Sequence, residues 1–218
     1  MLARSLAGPG PGVSRREIRD MTRPMSAPRT FARAIAALAV VGAFGCTKAR
    51  TPQEGYHRFC KAVMAGDAPA LFEALDQKSR WAWMTVQKSH REAYDIILSN
   101  YPEGPERERE VHRFERGATL GSGRALFVDE VGQGAIGGLR PLCAGDVRFD
   151  GAADSVDATA VLASGAKVAL RLGPEDKSWG YAGYADDAED RQKRALADVD
   201  QVRASAADYE RAAARTAK

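Results

Sequence analysis

The chain predicts an α+β domain in which helices come first, an antiparallel meander follows, and one long helix closes the sequence. Three observations predict it. A capped amphipathic start at Thr51 opens a run of helical periodicity, the apolar period shortens to two after Asp146, and residues 186–217 contain neither glycine nor proline.

Thr51-Pro52-Gln53-Glu54 is a capping box with proline at the first helical position, so a helix is specified there before any packing is considered. Behind it, Tyr56, Phe59, Cys60, Val63 and Met64 recur on one helix face, and Gly66 closes the element. Asp67 suits the cap of a second, short helix through Leu75, burying Leu71, Phe72 and Leu75. Ser79 is read as the cap of a third, which carries Trp81, Met84, Val86, Tyr94, Ile96 and Ile97 and stops before Pro102. Residues 102–116 hold nine charged side chains and read as a solvated helix or loop. The glycine-rich stretch 117–145 shows no usable period.

Alternation then takes over. Val147 and Phe149, then Val156, Ala158, Ala160 and Leu162, then Val168, Leu170 and Leu172, then Trp179 and Tyr181 predict four strands with one covered face. Gly151, Ser164-Gly165 and Gly173-Pro174-Glu175-Asp176 supply the turns between them. In the last segment Ala195, Val199, Val202, Ala206, Tyr209 and Ala213 recur at steps of four and three. A helix over 186–217 would reach about 45 Å, longer than a small domain is wide. Part of it is therefore expected to project or to meet a partner, including a second copy of the chain. Otherwise it folds back on its own domain with Glu189–Lys193 and Asp190–Arg194 as solvated pairs.

Ahead of all this, Arg29 and Arg33 precede twelve uncharged, mostly apolar residues, Ala34 to Gly45, which end at Cys46. A spanning helix needs roughly 20 apolar residues, so a cleaved export signal is the expectation, not a permanent membrane span. Ala43-Phe44-Gly45-Cys46 resembles the lipobox of bacterial lipoproteins, in which a small residue precedes the acylated cysteine. Gly45 and Cys46 match; Ala43 and Phe44 stand where a branched aliphatic and a small residue are usual. The resemblance implies a leader over 1–45, lipid on Cys46, a tether over 46–50, and residence in the cell envelope, with the outer membrane favoured. A conventional signal peptide cut nearby would leave Cys46 a thiol. Met25 would give a leader of ordinary length, which makes it an alternative start. Ser14-Arg15-Arg16 resembles the opening of a twin-arginine signal, but Asp20 and the residues after it separate the pair from the apolar run.

Removing 1–45 takes away seven arginines and two acids, so the formal charge falls from +3 to −2. No basic stripe remains, and nucleic acid is not an expected partner. Cys60 and Cys143 are left, in a compartment where disulfides persist, and they are expected to pair; the alternative is two separately buried thiols.

The order of elements over 51–184, the Gly66-Asp67 break before Ala70-Leu71-Phe72 and the aromatic strand Trp179-Gly180-Tyr181 together resemble the cone-shaped α+β fold of the nuclear transport factor 2-like superfamily, SnoaL-like cyclases among them. That resemblance implies N-terminal helices packed on a curved sheet. It also implies either a non-catalytic binding module or a small isomerase, cyclase or dehydratase with a general base inside the cone, for which Tyr56, His90 and Asp157 are the candidates. Segment 102–145 and the helix over 185–218 depart from the compact family pattern. Tyr56, Trp81, Trp83, Trp179 and Tyr181 could line a pocket between helices and sheet, or fill it.

Gly132-Gln133-Gly134-Ala135-Ile136-Gly137 has the dinucleotide-binding spacing. Asp129 and Glu130 just before it and Pro141 just after it spoil the strand–turn–helix context, so no cofactor is expected. Gly117 to Gly123 follows a charged segment and reads as a flexible loop. His57 and Cys60, three apart, could share a metal with His112 or Cys143, but nothing in the sequence fixes such partners. The expectation is a lipid-anchored envelope protein that acts by binding, with a structural role for the last helix as a further alternative.

Overall fold

A computed structural model describes residues 48–151 and 155–216. The leader and the first two residues of the expected tether, Cys46 and Thr47, lie outside the described residues. The architecture is α+β, with helices preceding and packed on a four-stranded antiparallel sheet and a long helix at the C-terminus.

α1 (Pro52–Ala65) starts where the capping box places it, with the Thr51 hydroxyl accepting from the Glu54 N–H at 3.2 Å. It ends at Gly66, whose φ of 66° is left-handed. α2 (Ala68–Ala74) is capped by Asp67, which accepts from the Ala70 N–H at 2.9 Å. α3 (Gln77–Asn100) begins three residues earlier than Ser79 suggested, because Asp76 is the cap. One carboxylate oxygen of Asp76 accepts from the Ser79 N–H and from its hydroxyl, so the serine is bound inside the first turn.

The charged segment forms α4 (Pro105–Thr119), which buries Phe114, Gly117 and Ala118. The stretch without a usable period forms α5 (Gly123–Gly137), capped by Ser122, and a short 3₁₀ turn over Arg140–Cys143. α5 breaks at Gly132, where φ is 56°, so its buried residues share no continuous face. Gly123 is a contact point, not the loop residue expected: a Cβ there would meet the Met84 Cα on α3 at 2.6 Å.

The sheet comprises β1 (Val147–Asp150), β2 (Asp157–Leu162), β3 (Lys167–Leu172) and β4 (Trp179–Tyr181), in that spatial order. Phe149 stands opposite Ala160, Ala160 opposite Val168, and Leu170 opposite Tyr181. Ala158, Ala160, Leu162, Val168 and Leu170 turn inward beneath α1. Val156 lies outside β2 with its side chain exposed, although its carbonyl still accepts from the Leu172 N–H at 2.8 Å. On its other side, β4 is held by the α2–α3 junction: Leu75 bridges Tyr181, and the Asp76 N–H donates to the Tyr181 carbonyl at 2.9 Å.

α6 (Ala185–Thr216) packs back on the domain. Its stripe of Val199, Val202 and Ala206 meets Ala93, Ile97 and Tyr101 of the α3 end and Phe114 of α4, forming a second core beside the one under the sheet. Tyr209 closes it with an edge-on contact to Tyr101, centroids 4.9 Å apart. Beyond Tyr209, residues 210–216, Ala213 included, are exposed. Glu189 and Lys193 pair at 3.0 Å as expected, whereas Arg194 donates to the Asp190 backbone carbonyl and not to its carboxylate. Among the described residues no helix is long and apolar enough to cross a membrane.

Candidate functional site

Cys60 on α1 and Cys143 in the 3₁₀ turn form a disulfide across 83 residues. The bond clamps the segment before β1 onto α1. Beside it the Tyr56 hydroxyl donates to the Leu142 carbonyl at 3.0 Å, and its ring stands edge-on to Phe149.

The five aromatic candidates do not line one pocket. Tyr56, Trp179 and Tyr181 are buried around α1 and β4, and Tyr181 stacks on Phe59 with centroids 4.2 Å apart. Trp83 is buried elsewhere, edge-on to Phe127 where α3 meets α5. The Arg191 guanidinium of α6 lies over the Trp83 ring at 5.2 Å. Trp81 points outward and is 42% exposed. The physical reason is helical phase: positions 81 and 83 differ by about 200° around α3, so they cannot share a face. Burial pushes the Tyr181 phenol up to about 12, with Tyr184 adding to it.

Candidate bases fare similarly. Asp157 is exposed at the start of β2, and its carboxylate accepts from Arg171 Nε at 2.9 Å, as expected for a cross-strand pair. His90 is half-buried between α3 and α4, edge-on to Phe114, and desolvation lowers its pKa against the pull of Glu130 and Asp198, with Arg113 acting alongside desolvation. Tyr56 is hydrogen-bonded in the core. His57 and His112 are exposed, and Cys60 is consumed by the disulfide. Among the described residues no group of three metal-ligating side chains forms. The G-x-G-x-x-G segment lies in the second half of α5, downstream of helical Leu126 and Phe127 and not of a strand.

Open clefts lie among the described residues. One of about 470 Å³ follows Asp146, Val147, Arg148 and Leu162 along the β1–β2 end. Another, of about 350 Å³, lies between Arg50, Thr51, Gln53, Phe149 and Trp179.

Sequence reasoning missed the polar seam beside this second cleft. Buried Asp76 receives Arg171 Nη1 at 3.5 Å in addition to capping α3. Gln77 Oε1 accepts from the Glu175 N–H at 3.1 Å, Arg80 pairs with Asp176, and the Asp176 carboxylate accepts from the Ser178 N–H at 3.0 Å. Leu75-Asp76-Gln77 carried the signal for the cap, an acid directly after the residue that ends a short amphipathic helix as its C-cap.

The seam also fixes where the chain enters the fold. Ala49 is buried at 3% exposure; its carbonyl accepts from the Trp179 N–H at 2.8 Å and its N–H donates to Ser178 Oγ at 3.2 Å. Arg58 of α1 closes over the joint, donating to the Trp179 carbonyl at 3.0 Å. Ala49, within the segment expected as tether, is thus bonded to the start of β4.

No protein-family model, no curated protein and no solved structure matches this chain.

Proposed function

We propose that this chain is a lipid-anchored cell-envelope protein, acylated on Cys46 and favouring the outer membrane, whose domain is a non-catalytic interaction module. The apolar run that ends at Gly45-Cys46 supports the anchor. The observation that carries the module is the closed aromatic interior between α1 and β4. Phe59 stacks on Tyr181 and the Tyr56 hydroxyl is satisfied by Leu142, so the space a cone-type isomerase or cyclase would need for substrate holds side chains. The packing of α1 on an antiparallel meander supports the likeness to the nuclear transport factor 2-like cone. Partner binding then falls to outer surfaces, and the exposed end of α6 beyond Tyr209 is the segment offered to another envelope protein.

Metabolic labelling with a palmitate analogue tests the anchor: label is expected on the wild-type chain and lost in Cys46→Ala. Cross-linking in intact cells tests the module. A discrete adduct that disappears when residues 210–218 are removed supports it. Turnover of a carbonyl or hydroxy-acid substrate by the purified domain would overturn it.

A further inference from the structure

In the sequence Cys46 stands three residue steps before Ala49. Ala49 is locked between Ser178 and Trp179, so only Thr47 and Lys48 separate it from the cysteine. Three residue steps span at most about 11 Å even when fully extended. That is less than the radius of gyration of about 16 Å expected for a domain of this size. The polar layer on each side of a bilayer is itself roughly 5–8 Å deep.

The elements gathered at that entry point are also specific. Ser178 is tied to Asp176, Asp176 to Arg80, and Gln77 to the Glu175 backbone, so the first turn of α3 and the β3–β4 turn lie beside Ala49. Trp81 stands one helical turn beyond Gln77, on the same face, and is the exposed tryptophan among the described residues. Lys48 and Arg50 flank Ala49 and Lys177 precedes Ser178, all three exposed at the joint along with Glu175, and Lys78, one turn before Trp81, pairs with Glu189 yet keeps over half its side chain in solvent. An exposed, amphipathic indole at the end of the domain where the chain enters suits the interfacial layer of a membrane.

Resting on acylation at Cys46, we propose that this end of the domain is a membrane-facing surface: the short tether holds the β3–β4 turn and the start of α3 against the bilayer, with Trp81 at headgroup depth. The far end of α6, which runs along α3 from Lys78–Glu189 to Asn100–Glu210, is then presented to partners.

The test uses the mature chain purified from bacterial membranes, its Cys46 peptide checked by mass, in vesicles of phosphatidylethanolamine and phosphatidylglycerol containing lipids brominated near the carbonyl end of the acyl chains. The difference in emission between wild type and Trp81→Phe isolates Trp81 from buried Trp83 and Trp179. At least half of that difference is expected to be quenched, and a 20-residue Gly-Ser insertion between Thr47 and Lys48 is expected to reduce quenching several-fold. An acylated chain whose Trp81 is unquenched, or quenched equally with the insertion, overturns the membrane-facing surface while leaving the anchor standing. A Cys46 peptide without acyl mass overturns the anchor and this surface with it.

Discussion

The ring of Phe59, on α1, lies stacked on the ring of Tyr181, on β4, with centroids 4.2 Å apart. Phe59 has no exposed surface, and Tyr181 is held from its other side by Tyr184, at 5.8 Å. This pair joins the first helix to the last strand.

Phe59→Ala is therefore expected to destabilise the domain by about 3–5 kcal/mol, the sum of lost transfer energy and an unfilled hole. Denaturant titration measures the loss. A cost below about 1 kcal/mol would mean that the interior collapses and is looser than the stacking implies.

The Cys60–Cys143 bond closes a long loop, so on the chain-entropy account its removal costs up to about 4 kcal/mol. For a domain of this size that corresponds to a fall in Tm of roughly 10 °C. A Cys60→Ser/Cys143→Ser variant, compared with wild type by calorimetry, gives the value. The fold itself is expected to persist, since Phe59 and Val63 bury the same helix face without it.

A Cβ at Gly180 would stand 2.4 Å from the Leu75 carbonyl oxygen and 2.6 Å from the Asp76 Cα, both backbone atoms with no side-chain freedom to yield. Gly180→Ala is expected to cost about 1–3 kcal/mol by overpacking and to loosen the Asp76–Tyr181 bond. Amide exchange at Asp76 should accelerate by more than tenfold.

Val202 sits in the second core at 2% exposure, between α3 and α6. Val202→Asp places an unpaired carboxylate there, and a penalty of about 3 kcal/mol or more is expected. Because that core is separate from the one under the sheet, hydrogen exchange should rise over 196–216 while β2 and β3 keep their protection. Uniform loss of protection would show that the two cores unfold as one unit.

His90 gives a pH signature. Desolvation holds its pKa below the ordinary histidine value, with Arg113 acting in the same direction and Glu130 and Asp198 opposing. The unfolded chain therefore binds the proton more readily than the fold does. Its contribution is fully present above about pH 6.5 and is lost as pH falls through the lowered value. Between pH 7 and pH 5 the wild type should lose more stability than His90→Gln, measured by urea midpoints. Parallel lines for the two proteins would remove His90 from the acid response.

The sequence by itself determined whatever depends on neighbours a few positions away. Thr51 to Glu54 specified the start of α1 because a capping box satisfies backbone donors locally, without help from the rest of the chain. The alternation of Ala158, Ala160 and Leu162 and of Val168 and Leu170 specified the sheet because strand side chains alternate with period two. The stripe Val199-Val202-Ala206 named the buried face of α6 correctly, but a stripe carries no address. Only packing decided that Ile97 and Phe114 of the same chain cover it.

Tertiary structure alone decided the rest. The broken helix at Gly132 erased the period of α5, and the separation of Trp81 from Trp83 followed once α3 had a direction. The joint between Ala49 and Trp179 depends on atoms about 130 positions apart, and no local pattern encodes it. That joint shortens the path from Cys46 to the folded domain to Thr47 and Lys48. Backbone hydrogen bonds between segments so distant form only after the helices and sheet have brought their ends together, which is why the position of the chain's entry point belongs to the fold and not to the sequence.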